Sequence, residues 1–460
     1  MKINCVYDFI PPDGKIPNGF DVSHINLLFD YNFFLSSDEF RTKLKEKTQK
    51  QFWEFGILST LDIVDISVSE LTINDSEIYI YPITTSGDYL NSLSIINNEP
   101  SIFYYISEES KKLQKHKNFY YLLEHPGEPY FDTDILKKIV DDCNEYGIDI
   151  SKLIIVNGCG SNDIILEEFY HDYKGEQNIR LCNYTWPIPF KSIELRSRLG
   201  LEENENSKNS TISDITHINL PKTKKALLLN RRLRLHRLIF LSMLAEKKLL
   251  DSTLHSYDME LNTFTNFKEI INGEDGDIEF NIPINEISNI INGYNELTIR
   301  KKSILDFDEL DKVHGYGMET KELYEQTFFS IVTETEYSYH QQSFTEKIIK
   351  PIMHCHPFVL ISSPNILKQL KQYGFKTFDK WWDESYDSEY DNYTRMKMVL
   401  KLLDLLLNKS NDEWYSMLIE MKDILEYNRN LLISFSEDTV SEMIYNNLKN
   451  IIDNNSNTLF

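Results

Sequence analysis

The chain is short of several things, and most of these shortages close off a class of protein. Only two of its 460 residues are alanine, Ala226 and Ala245, beside abundant Asn and Ile; this bias reflects an AT-rich coding sequence and says little about function. Cysteine is sparse and scattered at Cys5, Cys143, Cys159, Cys182 and Cys355. The number is odd and no C-x-x-C pair occurs, which argues against a disulfide framework or a zinc site and for a reducing compartment. No apolar run approaches the ~18 residues of a membrane-spanning helix, and the opening MKINCVYDFIPPDG lacks a signal-peptide core. The expected location is therefore the cytoplasm, of the cell or of an infected host, with no membrane span. Positive charge is also short: 48 Lys and Arg face 72 Asp and Glu, a net charge of −24. Such a chain repels nucleic acid and anionic membranes at long range, so nucleic acid is not an expected partner and any polyanionic ligand needs a locally basic cleft.

What remains is a balanced globular composition, with 41% hydrophobic, 13% aromatic and 26% charged residues and length enough for two or three domains. To about residue 200, short β-rich runs alternate with helical ones. The pattern predicts strands at 2–7, 61–68, 76–82, 101–106, 119–123, 152–157 and 178–182, and helices at 37–50, 133–146 and 162–172. The polar stretch 201–214 reads as a linker. A second α/β series follows: strand 226–229, helix 234–249, strands 253–257 and 327–333, helix 344–354, strand 357–361, helix 364–373 and a short strand at 375–378. Residues 259–325 are less regular, with a weakly helical run near 285–299, and the chain from 393 to about 452 is helical. The expected fold is α/β: two Rossmann-like domains facing across a cleft, residues 1–212 and 213–392, with a helical extension at 393–460.

Two segments carry chemistry. KTKKALLLNRRLRLHR (222–237) is the strongly basic stretch of the chain, and it reads as a buried strand, a turn at Asn230-Arg231-Arg232 and a helix. Ligands of parallel sheets bind at the carboxyl ends of strands, where this turn falls, and an arginine fork suits a diphosphate. Arg234 and Arg237 read equally well as helix-surface residues. SFTEKIIKPIMHCHPFVLI (343–361) is a polar entry into a short helix followed by an apolar strand. Ser343 could cap that helix, its dipole and amides converging with Lys347 on an anion, or Ser343 to Glu346 could form a plain S-x-x-E capping box. His354-Cys355-His356 resembles a metal cluster only on paper, since helical neighbours point in different directions. Asp275-Gly276-Asp277 and Asp306-Phe307-Asp308 are D-x-D patterns expected by chance in so acidic a chain. No metal and no cofactor is expected. Trp381, Trp382 and Tyr386 suit either sugar stacking or core packing.

Strand-NRR-helix, strand-TETE, FTEK-x-x-KP and PFVL, taken together over roughly 225–395, resemble the donor-binding half of fucosyltransferase-like and exostosin-like glycosyltransferases, which have the two-Rossmann GT-B architecture. The segment GFKTFDKWWDESYD (374–387) resembles glycosyltransferase-like proteins of phages, large viruses and bacteria. The resemblance implies a nucleotide-diphosphate sugar donor. Its T-E-K motif maps to Thr345, Glu346 and Lys347, with Lys350 in the same run; the strand-end carboxylate maps to Glu334 and the diphosphate-gripping arginine to Arg231 or Arg232, beside Asn230. Two departures matter: Thr335 follows Glu334 where the family has Asn, and Lys350-Pro351 replaces W-R-N. The donor therefore need not be GDP-fucose.

An inverting, metal-independent transfer to a glycan or other hydroxyl acceptor also needs a base. YYLLEHPGEPYFD (120–132) offers Glu124, His125 and Glu128 where a strand ends in a Pro/Gly loop, with Glu128 favoured. The loop Asn157-Gly158-Cys159-Gly160-Ser161-Asn162 is a tight turn or part of an acceptor cleft. The alternatives are a non-catalytic binding or structural protein on the same scaffold, and a viral DNA-modifying glycosyltransferase.

Overall fold

Continuous apolar runs in this sequence become strands buried on both faces, which is the signature of a helix-covered parallel sheet. The computed structural model describes residues 2–7, 62–68, 71–74, 76–84, 101, 103, 106–125, 131–157, 162–173, 179–183, 213–230, 233–259, 266–271, 280–303, 321–338, 342, 344–435, 437–454 and 458–459. The chain divides into two compact α/β units: Met1–Trp186 with Ser436–Phe460, and Pro187–Phe435.

The first unit contains β1 Lys2–Tyr7, β2 Asp62–Ser67, β3 Tyr79–Thr84, α1 Glu108–Leu113, β4 Phe119–His125, α2 Thr133–Tyr146, β5 Leu153–Asn157, α3 Asn162–Asp172 and β6 Arg180–Asn183. Its C-terminal part adds the helix Glu437–Asn454 and the strand Thr458–Leu459. The last strand pairs in parallel with β6, and the described sheet then runs β6, β5, β4, β3, β1, β2, every pairing parallel. β5 is buried at all five positions, as its sequence LIIVN requires. The helix α2 follows local rules closely. Asp132 accepts from the Ile135 amide at 2.9 Å, Ile135, Leu136, Ile139, Val140 and Cys143 face the core, and Gly147 ends it at φ 73°.

The second unit contains β7 Ala226–Leu229, α4 Leu235–Glu246, β8 Thr253–Asp258, α5 Phe267–Ile271, α6 Ile284–Arg300, β9 Lys302–Ser303, α7 Lys321–Glu325, β10 Phe329–Thr333, α8 Glu346–Met353, β11 Phe358–Ile361, α9 Ile366–Gln372, α10 Asn392–Leu407 and α11 Asn411–Ser434. The helix and strand that close the first unit are then α12 and β12. The second sheet runs β11, β10, β7, β8, β9, parallel except for the short β8–β9 edge. Residues 235–245 of α4 are all buried, so this helix is covered on every side. Helix α6 approaches it so closely that a Cβ on Gly293 would lie 1.8 Å from the Ser242 carbonyl oxygen. From α11, Trp414 stacks on Phe329 at 4.8 Å and donates its indole N–H to the Leu406 carbonyl.

Several expectations change. Of the strand expected at 101–106, residues 101, 103 and 106 are described and none is in a strand; Phe103 lies in a tight turn, and Ser107 caps α1 by accepting from the Ser110 amide. Segment 375–378 is not a strand: the Asn428 side chain accepts from the Lys376 amide and donates to the Lys376 carbonyl at 2.8 Å each, and the Phe378 amide donates to the Glu384 carboxylate. The C-terminal helices are not a separate extension: α10 and α11 pack in the second unit, while residues 436–460 complete the first. The expected helix 37–50, the linker to residue 212 and both D-x-D patterns lie outside the described residues. Among the described residues no helix is long and apolar enough to cross a membrane.

Candidate functional site

Strands β7 and β10 are parallel neighbours, and their carboxyl ends bring the two chemistry-bearing segments together. Asn230 follows β7 and is fully buried. Its amide N–H donates to the carbonyl and hydroxyl of Ser256, and its Oδ1 accepts from the Thr333 hydroxyl at the end of β10. Its side-chain Nδ2 is buried with no partner among the described residues.

Glu334 follows β10 and is also fully buried. Its carboxylate is turned to the N-terminus of α8: Oε1 accepts from the amides of Thr345 at 3.4 Å and Ile348 at 3.3 Å, and Oε2 accepts from the Thr345 hydroxyl. The positive end of the helix stabilises the carboxylate there. Glu334 is therefore engaged within the protein, not exposed at the strand end for a sugar hydroxyl. The cap is likewise Thr345, whose hydroxyl accepts from the Lys347 amide at 3.3 Å, and not Ser343, which lies outside the described residues. The amides expected to hold a phosphate are thus largely satisfied by the chain's own oxygens. The Lys347 ammonium donates to the hydroxyls of Thr335 at 3.0 Å and Thr345 at 3.2 Å. Lys350 stands one turn further along the helix, half-buried.

Behind this front, residues 333–337 are held by buried nitrogen groups. Arg237 donates to the carbonyls of Thr333 at 3.1 Å and Glu334 at 2.8 and 3.2 Å, and His236 Nε2 donates to the same Glu334 carbonyl at 3.1 Å. Burial, reinforced by the charge of Arg237, pushes the His236 pKa well down, so the ring is neutral, and its other nitrogen, Nδ1, is buried without a partner among the described residues. His236 stacks on Tyr337 at 5.2 Å, and Arg395 covers that ring at 4.2 Å while donating to the carbonyls of Tyr337, Ser362 and Glu389. Arg237 and Arg395 are only 4% and 2% exposed, and the bonds described for both go to main-chain carbonyls or, for Arg395, also to the Asn392 amide oxygen. Arg234 is at the surface, 3.2 Å from Glu336.

The structure thus links Asn230, Glu334, Thr345 and Lys347 in one hydrogen-bonded region and places Lys350 beside them. Arg231, Arg232 and Glu128 lie outside the described residues. Glu346 opens α8 and Glu124 lies in β4, but their side chains are outside what is described. His354, Cys355 and His356 are buried beyond the opposite end of α8. His354 stacks on Tyr324 at 4.0 Å and His356 bonds Ser330 and Thr327, and no group of three metal-binding side chains occurs among the described residues. Trp382 is core, against Phe378 and Trp414. Sequence reasoning missed His236, Arg237 and Arg395. The signal available was an arginine inside LHRLIFLSML, a helix with no polar face for it to occupy.

No protein-family model matches the chain, and no curated protein sequence does. Among solved structures it is similar to α,α-trehalose 6-phosphate synthase from Burkholderia multivorans, with 10% identity, 95% of this chain and 83% of that one covered, and a TM-score of 0.38. A second similar structure is S. aureus MnaA in complex with UDP, with 12% identity, 98% and 97% covered, and a TM-score of 0.30. A third is a UDP-N-acetylglucosamine 2-epimerase homologue from Listeria monocytogenes, with 10% identity, both chains fully covered, and a TM-score of 0.28.

Proposed function

We propose that the second unit binds a nucleotide-diphosphate sugar at the carboxyl ends of β7 and β10, and that the protein transfers the sugar to a hydroxyl acceptor. The observation that carries this reading is the meeting, at the ends of β7 and β10, of the Lys347 ammonium and the buried Asn230 Nδ2, a donor with no partner among the described residues, in a chain of net charge −24. A diphosphate gains most where donors are already fixed and desolvated, and fixed charges also stabilise the departing diphosphate. In this reading Arg231 and Arg232, next along the chain from Asn230, join Lys347 on the diphosphate, with Thr345, Glu346 and Lys350 at its edge. Glu334 holds the α8 terminus in place for Lys347. Transfer is a single displacement with inversion, cationic side chains serving where a metal would otherwise be needed, and Glu128, with Glu124 as the second candidate, takes the acceptor proton.

A thermal-unfolding panel with UDP, GDP, ADP and TDP, followed by nucleotide-sugar hydrolysis and transfer assays, tests it. Lys347→Ala is expected to weaken nucleotide binding about tenfold or more, the loss of one charge-assisted hydrogen bond. Glu128→Gln is expected to leave binding intact and abolish transfer. No shift with any nucleotide at millimolar concentration would instead favour a non-catalytic protein. That second reading draws on Glu334, which fills the helix terminus without any ligand.

A further inference from the structure

The helix amides at α8 are largely committed to Glu334 and Thr345, so an anion beside Lys347 needs other donors. The main chain of the strand-end loop supplies one. Three bonds from two buried side chains, Arg237 and His236, converge on the Glu334 carbonyl oxygen. The described chain contains no cis peptide, and in a trans peptide the C=O and the following N–H point in opposite directions. The Thr335 N–H therefore points away from Arg237 and His236. It makes no hydrogen bond with the protein among the described residues, although Thr335 is only half-buried and its hydroxyl is held by Lys347 at 3.0 Å. Standard bond lengths then place the ammonium within about 7 Å of that N–H. A carbonyl gripped by donors also polarises its own peptide, which strengthens the outward N–H as a donor.

We infer that the Thr335 main-chain N–H, aimed by Arg237 and His236, is a ligand-binding donor that shares one phosphate-type oxyanion with the Lys347 ammonium. Two carboxylates stand close, Glu334 and Glu336. The first is turned into the α8 terminus, and the second is paired with Arg234. Both carboxylates are thus engaged, and the Lys347 ammonium supplies positive charge beside the Thr335 hydroxyl. Arg237 and His236 act as positioning residues: they touch the loop, and the loop touches the ligand. The inference rests on reading the second unit as the nucleotide-diphosphate site and names the main-chain donor within it.

The test uses the full chain, labelled with 15N-threonine, with the Thr335 amide assigned by its disappearance in Thr335→Ser. Inorganic diphosphate and UDP are titrated by calorimetry and by the amide spectrum in parallel. The expected result is a downfield proton shift at Thr335 that saturates with the calorimetric Kd. Thr335→Pro, which deletes the N–H, should weaken diphosphate about tenfold or more, whereas Thr335→Ala, which keeps it, should stay within about threefold. If diphosphate or UDP binds while the Thr335 amide does not move, the inference falls and the proposed function stands. If neither binds the wild-type chain, both fall. Should Thr335→Pro fail to fold, the wild-type amide shift decides alone.

Discussion

The two units share a plan, parallel strands covered by helices, yet they satisfy their backbones in different ways. In the first unit local rules suffice. Helix α2 has an Asp N-cap and a left-handed Gly after its end, and the described sheet buries Tyr79, Tyr81, Phe119, Tyr121 and Leu123 in an apolar core. In the second unit Asp391 and Ser410 cap α10 and α11 by the same rules, but elsewhere these jobs fall to residues that local rules disfavour. Arg234 begins α4 with no side-chain cap, Pro351 sits inside α8, and Cys355 takes a left-handed φ of 50°. Among the described residues of this unit two arginines and four histidines are almost completely buried: Arg237, Arg395, His217, His236, His354 and His356. Proteins keep such departures where consistency has been given up for function. Here Arg237, Arg395 and His236 all bear on the strand-end loop 333–337, the loop on which the proposed ligand site rests.

The largest effect that would break this comparison is at Arg395. Its guanidinium satisfies carbonyls of Tyr337, Ser362 and Glu389, so Arg395→Met leaves several buried acceptors unpaired and should cost ~3–5 kcal/mol. In the first unit Lys152 looks similar, donating to the carbonyls of His116 and Lys117, but its head is partly solvated. Lys152→Met should cost no more than ~1 kcal/mol. Urea unfolding of both variants checks this. Equal losses would mean that buried cations are structural in both units and mark no site.

Acid should separate the units next. Burial lowers the pKa of His217 to about 4 and pushes those of His236 and His356 well down. For these groups the unfolded chain binds the extra proton, so stability is lost as pH falls below about 6.5, by up to ~1.4 kcal/mol per pH unit for each ring. Glu384 and Asp387, whose pKa values burial raises, are protonated more readily in the folded state and oppose the loss nearer the carboxylate range. The clean window is therefore pH 6.5 to 5.5. In the first unit the described His116 is half-buried and His171 is exposed. Hydrogen exchange followed by mass spectrometry at the two pH values, corrected for intrinsic rates, should show peptides of the second unit opening first. Uniform opening across both units would remove the distinction.

The same contrast explains what the sequence disclosed. Helices 133–146 and 162–172 and strand 226–229 were legible to the residue, because periodicity, caps and flanking turns agree there. Segment 375–378 has the composition of a strand, and only the fold shows that the distant Asn428 side chain takes the Lys376 bonds. The α8 entry was legible as a capped helix with Lys347 near its start, but the choice of Thr345 over Ser343 depends on Glu334, eleven residues upstream of Thr345. Arg237 and Arg395 were invisible as a pair, since only the fold brings them to one loop, Arg237 at the Glu334 carbonyl and Arg395 at Tyr337.

The smallest test concerns two left-handed helix ends, one in each unit. Gly147 sits at φ 73° with nothing within 4 Å of where a Cβ would be, so Gly147→Ala should cost only the conformational penalty of ~1 kcal/mol. At Cys355 the amides of Cys355 and His356 close the end of α8 onto the carbonyls of Ile352 and Pro351, a turn that glycine would adopt without strain. Cys355→Gly relieves about the same ~1 kcal/mol but empties a fully buried thiol position, a loss of similar size, so the net change should lie within ~0.5 kcal/mol of zero. Calorimetric melting of both variants measures the two terms against each other. A loss well above 1 kcal/mol for Cys355→Gly would show that thiol packing, rather than tolerance of backbone strain, fixes this end of α8.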